Sequence, residues 1–164
     1  MPSSEAPPAI EVRGLRKTYR KATAVDGLDL TVQTGEIFAL LGPNGAGKTT
    51  TMEILEGFRD RDAGDVRVLG RDPQGAPLDW RNQIGIVLQN VQDMAELTVA
   101  ETVRHFARYY STPRDPDEVI ERVGLAGKAD SKIRALSGGQ RRRVDVAIGI
   151  VGRPRLLFLD EPTT

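Results

Sequence analysis

The stretch Ile37-Phe38-Ala39-Leu40-Leu41-Gly42-Pro43-Asn44-Gly45-Ala46-Gly47-Lys48-Thr49 decides how the rest of the chain is read. Residues Ile37 to Leu41 are apolar throughout, which suits a strand covered on both faces, as in a parallel sheet. Gly42 to Gly45 is strong turn chemistry. Helix-compatible sequence then runs from about Lys48 to Glu56, and Gly57 closes it. Between strand and helix lies the spacing Gly-x4-Gly-Lys-Thr. Glycines at those places let consecutive backbone amides turn inward onto phosphate oxygens. The helix behind them adds the positive end of its dipole. Lys48 brings a mobile cation to the outer phosphates, and the Thr49 hydroxyl is a hard oxygen for Mg2+. Residues 42–49 therefore predict binding of a nucleoside triphosphate, ATP with Mg2+.

The flanking sequence supports a layered domain. Ile10–Arg13 and Leu28–Val32 alternate apolar and polar residues, the pattern of half-buried strands, and Asp65–Leu69 and Ile84–Leu88 read as two more. Val99, Val103, Phe106, Ala107 and Tyr110 recur at helical spacing, and a shorter helix is expected over Asp117–Val123. Ser137 opens a longer helix whose stripe is Val144, Ala147, Ile148 and Val151, and Arg155–Leu159 is a last buried strand. Strands alternating with helices predict an α/β fold.

Composition narrows the class. Among 164 residues there are 23 basic and 23 acidic side chains, so the formal charge is zero and there is no bulk attraction to nucleic acid or an anionic membrane. Without cysteine, disulfides, thiolate zinc sites and a cysteine nucleophile are excluded. The start, Met1 to Pro8, has neither a basic lead nor an apolar run, so it reads as a solvated tail. No apolar run is long enough to cross a bilayer.

Two further motifs bear on chemistry. Leu156–Leu159 leads into Asp160 and Glu161. Downstream of a phosphate loop, Asp160 is suited to hold Mg2+ and Glu161 to orient or deprotonate an attacking water. Leu136-Ser137-Gly138-Gly139-Gln140 starts a helix with a hydroxyl at the cap and two glycines behind it, an arrangement that offers free amides to an anion. This pentapeptide, shortly before the Asp-Glu strand, resembles the signature of the ABC ATPases.

The resemblance extends along nearly the whole chain. It implies roles in ATP binding for Gly42, Pro43, Asn44, Gly45, Ala46, Gly47, Lys48, Thr49 and Thr50, and for Ser137, Gly138, Gly139 and Gln140 from a facing subunit. Tyr19 sits where the family keeps an aromatic residue that stacks on adenine, although a lone tyrosine also suits plain packing. Gln89 matches the family's glutamine that links the metal site to the helical subdomain. Catalysis falls to Glu161, Lys48 and Gln89, and the metal to Thr49, Asp160 and Gln89. His105 reads as a surface or packing residue. Arg141-Arg142-Arg143 suits a solvated or subunit-facing side of the signature helix better than a nucleic-acid patch.

The implied fold is a P-loop NTPase core, RecA-like with a mainly parallel sheet, an N-terminal antiparallel β-subdomain and a helical subdomain. Residues 1–9 are a tail and 10–164 the ATP-binding domain. Within it, 10–89 hold the β-subdomain and the first part of the core, 90–136 the helical subdomain, and 137–164 the signature helix and Asp-Glu strand. Family members continue with a further aspartate, another strand and a histidine, whereas this chain stops at Thr164, so the core is expected to be incomplete at its C-terminus. The parent protein is expected to hydrolyse ATP and these residues alone to do so poorly. The implied partners are a second ATPase subunit, head to tail, and a multi-span membrane permease, with no nucleic acid. The implied location is the cytoplasmic face of the membrane. Leu97–Ala107 and Glu53–Gly57 resemble exporters of the drug-resistance and ABC-2 type. The rival readings are a soluble ABC ATPase acting on ribosomes or DNA, and a nucleotide-binding module without turnover.

Overall fold

The computed structural model describes residues 7–20, 22–87 and 94–159, which divide into two compact units, residues up to Trp80 and residues from Arg81.

In the first unit, strands β1 (Ile10–Tyr19) and β2 (Ala22–Val32) form an antiparallel hairpin, and β3 (Ala63–Val68) pairs antiparallel with the other edge of β1. Both hairpin strands are longer than their alternation predicts. The register slips between Val12 and Leu15, where Gly14 has φ 61, so the buried positions pass from Val12 to Leu15. Such a bulge shifts the inward phase by one residue and hides the strand from a period-two reading. Helix α1 (Lys48–Leu55) buries Thr51, Ile54 and Leu55. The short α2 (Leu78–Arg81) buries Trp80, whose indole Nε1 donates to the Val68 carbonyl oxygen at 2.8 Å. That bond satisfies the polar edge of an otherwise apolar core residue.

Ile37–Leu41 departs from expectation. It forms no strand; Ile37 is fully exposed and Leu41 is 86% exposed. A strand exists as part of a ladder, and no described strand lends this run its backbone groups, since the sheets are β2-β1-β3 and a separate pair.

The second unit holds that pair, β4 (Ile84–Val87) and β5 (Leu156–Leu159), parallel with Val87 opposite Leu159. Helices α3 (Val99–Ala107), α4 (Pro116–Arg122) and α5 (Gly138–Val151) enclose a core of Val99, Val103, Val119, Leu125, Val144 and Val151. Helix α5 meets β4 through glycines: a Cβ on Gly85 would lie 2.2 Å from the Gly149 carbonyl oxygen. An antiparallel sheet, a parallel pair and a helical cluster make this an α/β fold with an N-terminal antiparallel β-subdomain. Among the described residues, no helix is long and apolar enough to cross a membrane.

Candidate functional site

The loop over Gly42–Thr49 is built from two short-range devices. The Ala46 amide donates to the Pro43 carbonyl oxygen at 3.2 Å, closing a turn in which Gly45 has φ 83. Gly47 then caps α1 with φ 80, and a Cβ there would lie 2.1 Å from the Ala24 carbonyl oxygen. Only glycine fits, because both the backbone angle and the space exclude a side chain. Lys48 is the first helical residue, and its ammonium donates back to the carbonyl oxygens of Gly42 at 2.6 Å and Pro43 at 2.9 Å. The cation is thereby drawn over the loop rather than released to solvent.

Thr49 is exposed and Thr50 half-buried in the first turn, where helix amides have no intrahelical acceptor. Beside the loop lies a cavity of about 430 Å³, bounded by Ala24–Asp29 of β2, by Leu40 and Leu41, and by Ala46, Lys48 and Thr51. Its carboxylates are engaged: Asp26 pairs with Arg16, and Asp29 accepts from the Gly14 amide at 2.6 Å. Lys48 is the cation on that wall. Tyr19 ends β1 and is 36% exposed.

In the second unit Ser137 caps α5, as its sequence position predicts. Its hydroxyl accepts from the Gln140 amide at 3.2 Å, while Gln140 Oε1 accepts from the Ser137 amide at 2.9 Å. This reciprocal box is legible in Ser-x-x-Gln, and it gives Gln140 a structural role besides the nucleotide contact its place in the signature implies. Gly138 and Gly139 are exposed in the first turn, with open space where a Cβ would stand. Gln89, Asp160 and Glu161 lie outside the described residues. The strands that lead to them, β4 and β5, run side by side and end opposite each other.

Asp145 on α5 was missed. It is buried, and burial pushes its carboxyl up to about 6, with Arg142 at 3.8 Å drawing it back only in part. His105 is exposed and lies 3.2 Å from the Tyr109 hydroxyl, a surface role as expected.

The chemistry of the loop, with a glycine turn leading into a helix N-terminus, a cation drawn over it and a hydroxyl in the first helical turn, fits a triphosphate carrying Mg2+. Comparison with known proteins agrees. The family profile described as ABC transporter matches residues 25–164. The Nod factor export ATP-binding protein I of Ralstonia nicotianae is 42% identical, over 99% of this chain and 52% of its own length. A daunorubicin/doxorubicin resistance ATP-binding protein of Streptomyces peucetius is 43% identical over 95% of this chain and 49% of its own. A spermidine/putrescine import ATP-binding protein of Thermobifida fusca is 41% identical over 98% of this chain and 44% of its own. The chain thus spans about half the length of these curated relatives. Among solved structures, an ATP-binding cassette of an ABC transporter in its ADP conformation superposes with TM-score 0.84 at 23% identity, over 97% of this chain and 70% of that one. An ATP-binding subunit of an ABC transporter gives 0.80 at 26% identity, over 94% of this chain and 66% of that one.

Proposed function

The chain belongs to the ABC transporter family, and from that premise we propose that the whole protein binds and hydrolyses ATP as the ATPase subunit of an exporter. The observation that carries the reading is the Gly42–Thr49 loop, with Lys48 held over it by the Gly42 and Pro43 carbonyl oxygens. Loop amides and Lys48 bind the phosphates. Thr49, Asp160 and Gln89 are the oxygen donors suited to Mg2+, which when bound neutralises charge building on the transferred phosphoryl group. Glu161 orients the attacking water and accepts its proton as the terminal phosphate departs. Tyr19 stacks on the base.

The signature residues Ser137, Gly138 and Gly139 act from a second copy, so two ATP molecules join two subunits head to tail and hydrolysis releases them. Gln140 serves them indirectly, through the box that fixes the Ser137 backbone. Within residues 10–164, the part over 90–136 meets a membrane permease, which holds the subunit at the cytoplasmic face. Export draws support from the Leu97–Ala107 resemblance and from the two export or resistance relatives. The spermidine/putrescine relative at 41% identity supports import as a second reading.

Phosphate release by the whole protein tests the core of this. Turnover is expected to fall at least about a hundredfold in Glu161→Gln with ATP binding kept, a loss in the range of a missing general base. Lys48→Ala is expected to lose binding itself. Turnover untouched by both changes would sink the proposal. In membrane vesicles carrying the permease, ATP-driven movement of substrate away from the cytoplasmic side supports export, and the opposite movement supports import.

A further inference from the structure

Glu53 and Arg59, side chains that the nucleotide site does not otherwise use, join the end of α1 to the end of β1. Past the last helical residue, Gly57 turns the chain with φ 78, where a Cβ would meet the Pro73 carbonyl oxygen at 2.8 Å. The reversal brings the amides of Phe58 and Arg59 onto the Glu53 carbonyl oxygen, at 2.9 and 3.2 Å. The Glu53 carboxylate accepts from Arg59 Nε at 2.5 Å. Glu53 therefore holds Arg59 through both backbone and side chain. So held, the guanidinium carbon lies 5.2 Å from the centroid of the Tyr19 ring, within cation–π range. Lys17 is 5.7 Å from the same centroid, but its ammonium is turned to Asp62 at 2.8 Å, and Asp62 also accepts from the Thr18 amide at 2.7 Å. Asp62 thus pins the backbone at the end of β1, and Arg59 is left to set the ring.

We propose that Arg59, locked by Glu53, is a positioning residue that holds the Tyr19 ring ready to stack on the base of ATP and ties base recognition to the helix that carries Lys48. The inference rests on the reading of Tyr19 as the base-stacking residue. An aromatic ring at the exposed end of a hairpin has several rotamers open to it. Fixing one beforehand removes part of the ordering cost that binding otherwise meets. Arginine suits the task better than lysine, because one planar group can lie over a ring and still give Nε to a carboxylate. Glu53 stands in the same helix as Lys48, so base and phosphate contacts share one rigid support.

Calorimetry on the whole protein with ATP and with inorganic triphosphate, which has no base, tests this. Arg59→Ala is expected to weaken ATP roughly two- to fivefold, the scale of an exposed cation–π contact, and to leave triphosphate binding unchanged. Tyr19→Ala is expected to weaken ATP at least as much, and adding Arg59→Ala to it to cost nothing more. Arg59→Lys is expected to restore part of the loss. Equal weakening of both ligands by Arg59→Ala, or additive losses in the double variant, would overturn the inference. A Tyr19→Ala effect with no Arg59→Ala effect overturns it alone. Unchanged ATP binding in Tyr19→Ala overturns the base-stacking reading as well.

Discussion

Gly45 and Gly47 are two residues apart and both have positive φ, yet their surroundings separate them. A Cβ on Gly45 meets nothing within 4 Å, whereas one on Gly47 lies 2.1 Å from the Ala24 carbonyl oxygen. Gly45→Ala should then cost only the left-handed backbone penalty of about 1 kcal/mol. Gly47→Ala adds overpacking and should cost about 2–5 kcal/mol, with phosphate binding lost. Urea denaturation of both variants checks the contrast, and equal costs would contradict it. Asp145 yields a prediction with a sign. Its folded carboxyl titrates at about 6, above an ordinary aspartate, so the folded state takes up the extra proton. Stability contributed by that proton is present at about pH 4 and below and is lost as pH rises through about 6. Asp145→Asn, neutral throughout, should gain on the parent as pH rises, by up to about 3 kcal/mol at neutral pH. Urea melts at about pH 5 and about pH 7.5 decide it: the advantage must be larger at the higher pH. The loop was legible in the sequence because every bond that shapes it is local. The Arg59–Tyr19 contact was not, because it forms only when the segment after α1 meets the end of β1.

Elements were legible where their periodicity runs unbroken. Helix α5 shows its stripe plainly, and Val144, Ala147 and Val151 are all fully buried. β1 and β2 were half-seen because glycine bulges reset their phase. α2 was not seen at all: a single turn has no period, and what holds it is Trp80 bonded to Val68 across the core. Helix ends carry energy that can be measured. Thr98 caps α3, accepting from the Glu101 amide at 3.1 Å while the Glu101 carboxylate accepts from the Thr98 amide at 2.8 Å. Thr98→Ala should cost about 1 kcal/mol, and Thr98→Asn much less, with ATP affinity unchanged in both. Thermal melts together with calorimetry check this, and a changed ATP affinity would show that the cap does more than end the helix.

At the scale of the whole molecule the run before the phosphate loop is where structure departs from sequence pattern. Five apolar residues, Ile37 to Leu41, ask for cover on both faces, yet Ile37 is fully exposed and Phe38 and Leu41 are 44% and 86% exposed. A contiguous apolar surface of this kind promotes association. The 164 residues on their own are therefore expected to bind a hydrophobic dye and to self-associate as concentration rises. Ile37→Lys tests this exposure. With the side chain in solvent, the change should shift stability by no more than about 0.5 kcal/mol and should reduce association. A covered site would instead bury the ammonium at a cost of several kcal/mol, and the variant would unfold early. Sedimentation and urea denaturation of the same chain read both quantities. We expect the mild outcome for these residues alone.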